Sequence, residues 1–138
     1  MKPILLDTGV IVALLDRSER HHRSCVQVLE TLAVPLVTCE AVIAESCYLL
    51  RGLTGASEAI LENVARGTFQ IPFQLPCSAP QIQRVFRKYR DQSVSLADAC
   101  LVHLANQLRT GDILTLDRDF EVYRWGTNKR FDFLIPLP

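Results

Sequence analysis

An α/β fold built on a mostly parallel sheet is the class this chain predicts, and three observations predict it. Brief apolar runs recur, among them Ile4-Leu5-Leu6 and Ile113-Leu114, of the length and character of buried strands. Segments with helical spacing alternate with them, which calls for crossover connections and helices on both faces of the sheet. No repeat, low-complexity tract or linker interrupts the 138 residues, so residues 1–138 are expected to form a single domain.

The elements follow in order. Met1–Leu6 reads as a first buried strand and Thr8–Leu15 as the helix after it, with Asp7 or Thr8 as its cap. A polar link, Ser18–His22, leads to a helix with Cys25, Val28, Leu29 and Leu32 on one face, and Pro35 stops it. Leu36–Thr38 is a second strand. Glu40–Leu53 is a helix punctuated by Gly52 and Gly55, and Ala56–Arg66 is another. Phe69–Leu75 alternates and contains Pro72, which confines it to a short or edge strand. Ala79–Arg90 is helical through Ile82, Val85, Phe86 and Tyr89, and Ser95–Leu108 is a strongly apolar helix with Gly111 as its stop. Ile113–Leu116 and Phe131–Ile135 supply the remaining strands. Helix outweighs strand.

Fifteen basic and fifteen acidic residues cancel, so a polyanion would have to meet a local patch or a bound cation rather than a general field. No apolar run reaches the ~18–20 residues of a membrane helix. Asp7 breaks the N-terminal apolar run, and no small-residue cleavage pattern follows it, so a secretory signal is not expected. Five cysteines without a C-x-x-C pair suit buried thiols in a reducing compartment better than zinc or disulfides. These observations point to the cytoplasm.

Four acids stand in apolar surroundings: Asp7 after Leu5-Leu6, Glu45 in Val42-Ile43-Ala44, Asp98 in Leu96-Ala97, and Asp117 after Leu114-Thr115-Leu116. Carboxylates rarely occupy such settings unpaired. The helical neighbours of Glu45 (Ala41, Val42, Tyr48, Leu49) and of Asp98 (Val94, Ser95, Leu101, Val102) include no base. Asp7 and Asp117 follow predicted strands, so both should project at the edge where parallel sheets bind ligands. Glu45 and Asp98 fall near helix starts rich in alanine, which permits close approach to the sheet. Convergence of the four is expected. Two like charges about 4 Å apart repel by about 4 kcal/mol at an effective dielectric of 20, so a hard divalent cation, Mg²⁺ or Mn²⁺, is the economical compensation.

The segments that carry these acids resemble those of a known family. Leu5-Leu6-Asp7-Thr8-Gly9-Val10, Thr38-Cys39-Glu40-Ala41-Val42-Ile43-Ala44-Glu45, Leu96-Ala97-Asp98-Ala99 and Leu114-Thr115-Leu116-Asp117-Arg118-Asp119-Phe120 resemble, in order and spacing, the four motifs of PIN-domain proteins. The compact length is closest to the VapC-like toxins of bacterial type II toxin–antitoxin pairs. The resemblance implies a PIN-like three-layer fold and a Mg²⁺- or Mn²⁺-dependent endoribonuclease. In that reading Asp7, Glu45, Asp98 and Asp117 are catalytic, and Asp7, Asp98 and Asp117 bind the metal. Asp119, Thr8 and Thr115 match additional positions. Gly9 and Cys39 depart from the family, standing where serine and asparagine are frequent. A homodimer, an RNA substrate and a cognate antitoxin are implied as partners. Two alternatives remain open: a non-catalytic module that binds RNA or protein, and a DNA-directed nuclease of related architecture.

Among the other charged and aromatic residues, the run Arg84, Arg87, Lys88 and Arg90 is either a solvated helix face or a grip for RNA phosphates. Arg17, Arg20, Arg23 and Arg118 lie nearer the acidic motifs. Tyr123 and Trp125 are expected in the core.

Overall fold

A computed structural model describes residues 2–138. Met1, assigned above to the first strand, lies outside the described residues. Five strands form one sheet in the order β3-β2-β1-β4-β7: β1 (Ile4–Leu6), β2 (Leu36–Val37), β3 (Phe69–Gln70), β4 (Asp112–Leu114) and β7 (Asp132–Phe133). Every pairing in it is parallel. The central strands are apolar throughout because both faces are covered: Leu5, Leu6, Ile113 and Leu114 are fully buried. Six helices flank the sheet: α1 (Thr8–Leu15), α2 (His22–Glu30), α3 (Glu40–Leu49), α4 (Ala56–Ala65), α5 (Leu75–Lys88) and α6 (Leu96–Leu108).

Chain order runs outward from β1 on one side, through β2 to β3, and from β4 to β7 on the other. The reversal point therefore lies between β1 and β4, and in open α/β sheets a crevice opens there beyond the carboxyl ends of the strands. The Asp7 N–H donates to the Leu114 carbonyl at 3.0 Å and continues the β1–β4 ladder to the lip of that crevice. Helix α6 is buried from Ala97 through Ala105, as its all-round apolarity requires, and packs against β1, α3 and α5.

Several expected boundaries move, each for a local reason. Strand β3 is only two residues long, and Leu75 opens α5 instead of closing a strand. Pro76 suits the first turn of that helix, where a missing N–H costs nothing. Helix α3 ends at Leu49, and Gly55, with φ of 81°, supplies the left-handed residue that starts α4. The stop of α6 is Arg109, itself left-handed at φ 56°, rather than Gly111. Gly111 instead makes room for a ring. A Cβ there would collide with the indole of Trp125, so the backbone is bare where that side chain packs. Trp125 belongs to an antiparallel hairpin, β5 (Arg124–Trp125) and β6 (Lys129–Arg130), which sequence patterning did not anticipate.

Candidate active site

Asp7 leaves the sheet at the end of β1 and caps α1, its Oδ1 accepting the Thr8 N–H at 2.8 Å. The capping role and the convergence expected of it therefore coexist. Its other oxygen accepts the Thr115 hydroxyl at 2.7 Å, and Thr115 in turn accepts the Asp117 N–H at 3.0 Å. One threonine thus fixes the first and fourth acids relative to each other. Asp117 caps a single 3-10 turn, Arg118–Glu121, through the Asp119 N–H at 2.9 Å. Asp98 lies in the first turn of α6, its backbone N–H held by Ser95 Oγ at 3.0 Å. Its Oδ2 accepts the Tyr123 hydroxyl at 2.9 Å.

These elements bring one oxygen of each of Asp7, Asp98 and Asp117 within 4.8 Å of one another. They face a cleft of about 550 Å³ that Glu45 and Asp119 also line. Glu45 is exposed and sits in the second turn of α3, whose start at Glu40 is the one expected. Asp119 is exposed at the rim. Among the described residues the ion pairs are Arg66–Glu62 and Arg118–Glu121, so none of the four central acids is neutralised by a protein cation.

Crowding and burial make the acids hard to ionise. Burial pushes the Asp7 carboxyl up to about 6, with the charges of Asp117 and Glu45 adding to the rise and the Thr115 and Thr8 bonds opposing it. Burial, then the charge of Asp7, takes Asp98 up to about 7, partly offset by Tyr123. Asp119 is raised as well, by its partial burial and by Asp117.

The sequence matches the family described as PIN domain over residues 4–126. The chain belongs to the PIN-domain family. It is 35% identical over 120 residues to Ribonuclease VapC26 of Mycobacterium tuberculosis (strain ATCC 25618 / H37Rv), a match that covers 83% of this chain and 87% of that protein. Among solved structures, it matches the VapC20 toxin of Mycobacterium tuberculosis with a TM-score of 0.77 at 16% identity, over 86% of this chain and 93% of that one. VapC20 is described as a sarcin–ricin loop cleaving toxin, and at this identity the likeness speaks for the PIN fold alone.

The PIN cleft fits a hard cation on its own terms. Its clustered donors are all carboxylate oxygens, and neither histidine nor cysteine lines it. Thr8 also lines the cleft, and its Oγ1 is buried without a hydrogen-bond partner among the described residues. Of the departures from the PIN motifs, position 9 has room for a Cβ, which would lie 3.7 Å from Leu116, and Cys39 is fully buried. Tyr123 is in the core as expected, edge-on to Phe120 at 5.0 Å, but patterning gave no sign that its hydroxyl would reach Asp98. A fully buried tyrosine needing a polar partner was the available signal. Ser93 and Ser95 line the cleft unforeseen. Of the four arginines near the motifs, Arg118 lines it, whereas Arg17, Arg20 and Arg23 do not.

Proposed function

We propose that this PIN-domain chain is a metal-dependent endoribonuclease and the toxin of a type II toxin–antitoxin pair. The observation that carries this reading is the convergence of three carboxylates, two of them buried and raised, with no protein cation to balance them. The name ribonuclease of the VapC26 relative supports it.

In this reading Asp7, Asp98 and Asp117 hold Mg²⁺ or Mn²⁺, and Thr8 contributes its unpartnered hydroxyl at the margin. The bound ion lowers the pKa of water and offsets the charge that develops on a phosphodiester. The protein's part is to hold, orient and position. Thr115 and Tyr123 fix the oxygens of Asp7 and Asp98, as outer partners of metal ligands do. Glu45, exposed across the cleft, completes the catalytic set by positioning the attacking water. In-line attack on phosphorus and breakage of the bond to the 3′ oxygen leave a 3′-hydroxyl and a 5′-phosphate.

Tyr48, Leu49, Leu53 and Leu61 are exposed on and between α3 and α4, and Leu49 reaches the acidic cleft. This apolar strip supports a protein interface for the antitoxin, a second copy of the chain, or both. Among the described residues no helix is long and apolar enough to cross a membrane. In this reading the enzyme is cytoplasmic.

The test is cleavage of single-stranded RNA, structured RNA and DNA side by side, with Mg²⁺, Mn²⁺ or chelator. RNA cleavage that needs the metal and is lost in Asp7→Asn and Asp98→Asn is the expected result. If both variants cleave like the parent, the assignment fails. RNA binding without turnover or Mn²⁺ binding would favour a binding module, and preferential digestion of DNA would move the substrate class.

A further inference from the structure

A second cleft, of about 560 Å³, lies between α5, α6 and the β5–β6 hairpin and has no part in the reading above. Its cations are Arg84 and Lys88, one turn apart on α5, and Arg124 on β5, and no carboxylate lines it. Among the described residues none of the three is in an ion pair. Arg124 is fixed in place: its Nη1 donates to the carbonyls of Glu121, Val122 and Tyr123 at 2.8–3.0 Å, and its backbone N–H to the Tyr89 hydroxyl at 2.8 Å.

Deeper groups in the same cleft can read a planar polar ligand. His103 is 9% exposed, packs its ring against Phe73, and leaves Nε2 buried with no partner among the described residues. Asn106 has its Oδ1 taken by the Gly126 N–H at 2.6 Å, which orients its amide donors. The volume lies within the range of small-molecule sites, more than a bare phosphate would fill.

Two packed rings connect this cleft to the acidic one. Tyr123, bonded to Asp98, lies edge-on to Tyr89 at a centroid distance of 5.1 Å, and Tyr89 lines the basic cleft. In a chain of zero net charge, a polyanion approaching five acidic residues needs a cationic foothold beside them. We propose that this basic cleft is a substrate subsite: Arg84, Lys88 and Arg124 hold backbone phosphates of the RNA strand, and one base flanking the cleavage point enters to meet His103 Nε2 and the Asn106 amide. Single-stranded RNA is the ligand class because its bases can be splayed out to expose their edges. The proposal rests on RNA being the substrate.

The experiment measures anisotropy of a fluorescein-labelled, mixed-sequence 12-nucleotide RNA in chelator, where nothing is cleaved, for the parent, Arg84→Gln/Lys88→Gln and Arg87→Gln. Arg87 is the control, carried by the same helix but outside the cleft. The double variant should bind about tenfold or more weakly, and the slope of log K against log salt should fall by roughly 1.4, for two phosphate contacts at ~0.7 each on a single strand. Arg87→Gln should match the parent. In steady-state cleavage, the loss should fall on KM rather than kcat. Unchanged binding in the double variant, or an equal loss in Arg87→Gln, would overturn the subsite. The two readings fail separately: RNA binding that depends on Arg84 and Lys88 in a parent that never cleaves RNA sinks the nuclease alone. Cleavage with binding indifferent to Arg84 and Lys88 sinks the subsite alone.

Discussion

Two clefts of nearly equal volume flank the Tyr89–Tyr123 pair and carry opposite charge. The acidic one gathers its residues from the ends of β1 and β4 and the first turn of α6, with Glu45 added from α3. The basic one takes two cations from adjacent turns of a single helix and a third from a hairpin. The acids are confined and mutually repelling, and Asp7 and Asp98 are buried, so the fold bears their cost. Arg84 and Lys88 reach solvent on long side chains and cost the fold little. Neutralising an acid should therefore raise stability and destroy function, whereas neutralising a cation should leave stability alone and weaken substrate affinity.

The sharpest way to break that contrast is Asp98→Asn. Changing a partner one step removed from a metal typically costs 10–100-fold, so loss of a proposed ligand should lower RNA cleavage by more than about 100-fold. In chelator the same variant should melt several degrees higher, because about 1 kcal/mol of relieved repulsion and desolvation moves the midpoint of a domain this size by roughly 3–5 °C. Calorimetry of parent and variant decides it. A variant that is both inactive and less stable would show that the carboxylate is tied into the fold by more than Tyr123.

The pH dependence of stability extends the same logic. Asp7 and Asp98 titrate near 6 and 7 in the folded chain, above the value of about 3.9 for an unfolded aspartate. Between about pH 4 and 7 the folded state therefore binds more protons than the unfolded one, and stability falls as pH rises. This is the reverse of a salt-bridged aspartate. Denaturant melts of metal-free protein should lose a few kcal/mol from pH 4.5 to 7.5, and Mg²⁺ should restore stability at the upper end. A flat profile would mean that the acids sit farther from one another, or nearer water, than the fold places them.

Much of the acidic site was legible in the sequence, and the reason is geometric. Asp7 and Asp117 follow apolar strands whose parallel pairing forces a common edge, and Asp98 is an acid on an otherwise buried helix. Each signal is local and the topology does the rest. The basic cleft was half legible. The run from Arg84 to Arg90 was visible, but which members face a cavity depends on where α5 starts, and Pro72, Pro76 and Pro80 disguise that start as loop. Arg124 was beyond reach because its hairpin has two-residue strands and a turn built on Gly126 and left-handed Asn128, too short for any periodicity. Tyr123 looked like core and is core. Only the tertiary fold shows that its hydroxyl meets Asp98.

That hydroxyl gives a smaller test at the boundary of the two clefts. Tyr123→Phe keeps the ring packing against Tyr89 and Phe120 and removes one bond to Asp98. Cleavage should fall about tenfold, within the range for outer partners of metal ligands. The bond lowers the Asp98 pKa, so its loss should raise it and move the acid limb of the rate profile to higher pH. RNA affinity in chelator should stay at the parent value, since the basic cleft keeps its cations. A matching loss of affinity would show that Tyr123 couples the clefts instead of only dividing them.

The smallest expected effect separates Asp119 from the acids it follows. Asp119 is exposed, its backbone N–H rather than its carboxylate engages Asp117, and it lies outside the cluster of three oxygens. Its charge reaches the site through solvent and is felt as part of the upward shift at Asp98. One exposed charge acting this way is worth less than ~1 kcal/mol. Asp119→Asn should therefore raise the Mg²⁺ concentration needed for half-maximal RNA cleavage by less than about fivefold, and the effect should shrink as salt is added. At saturating Mg²⁺ the rate should match the parent within about twofold. A deficit that saturating metal does not cure would place the Asp119 carboxylate among the groups that act directly on the reaction, and the catalytic set would then extend to the rim of the cleft, beside Arg118.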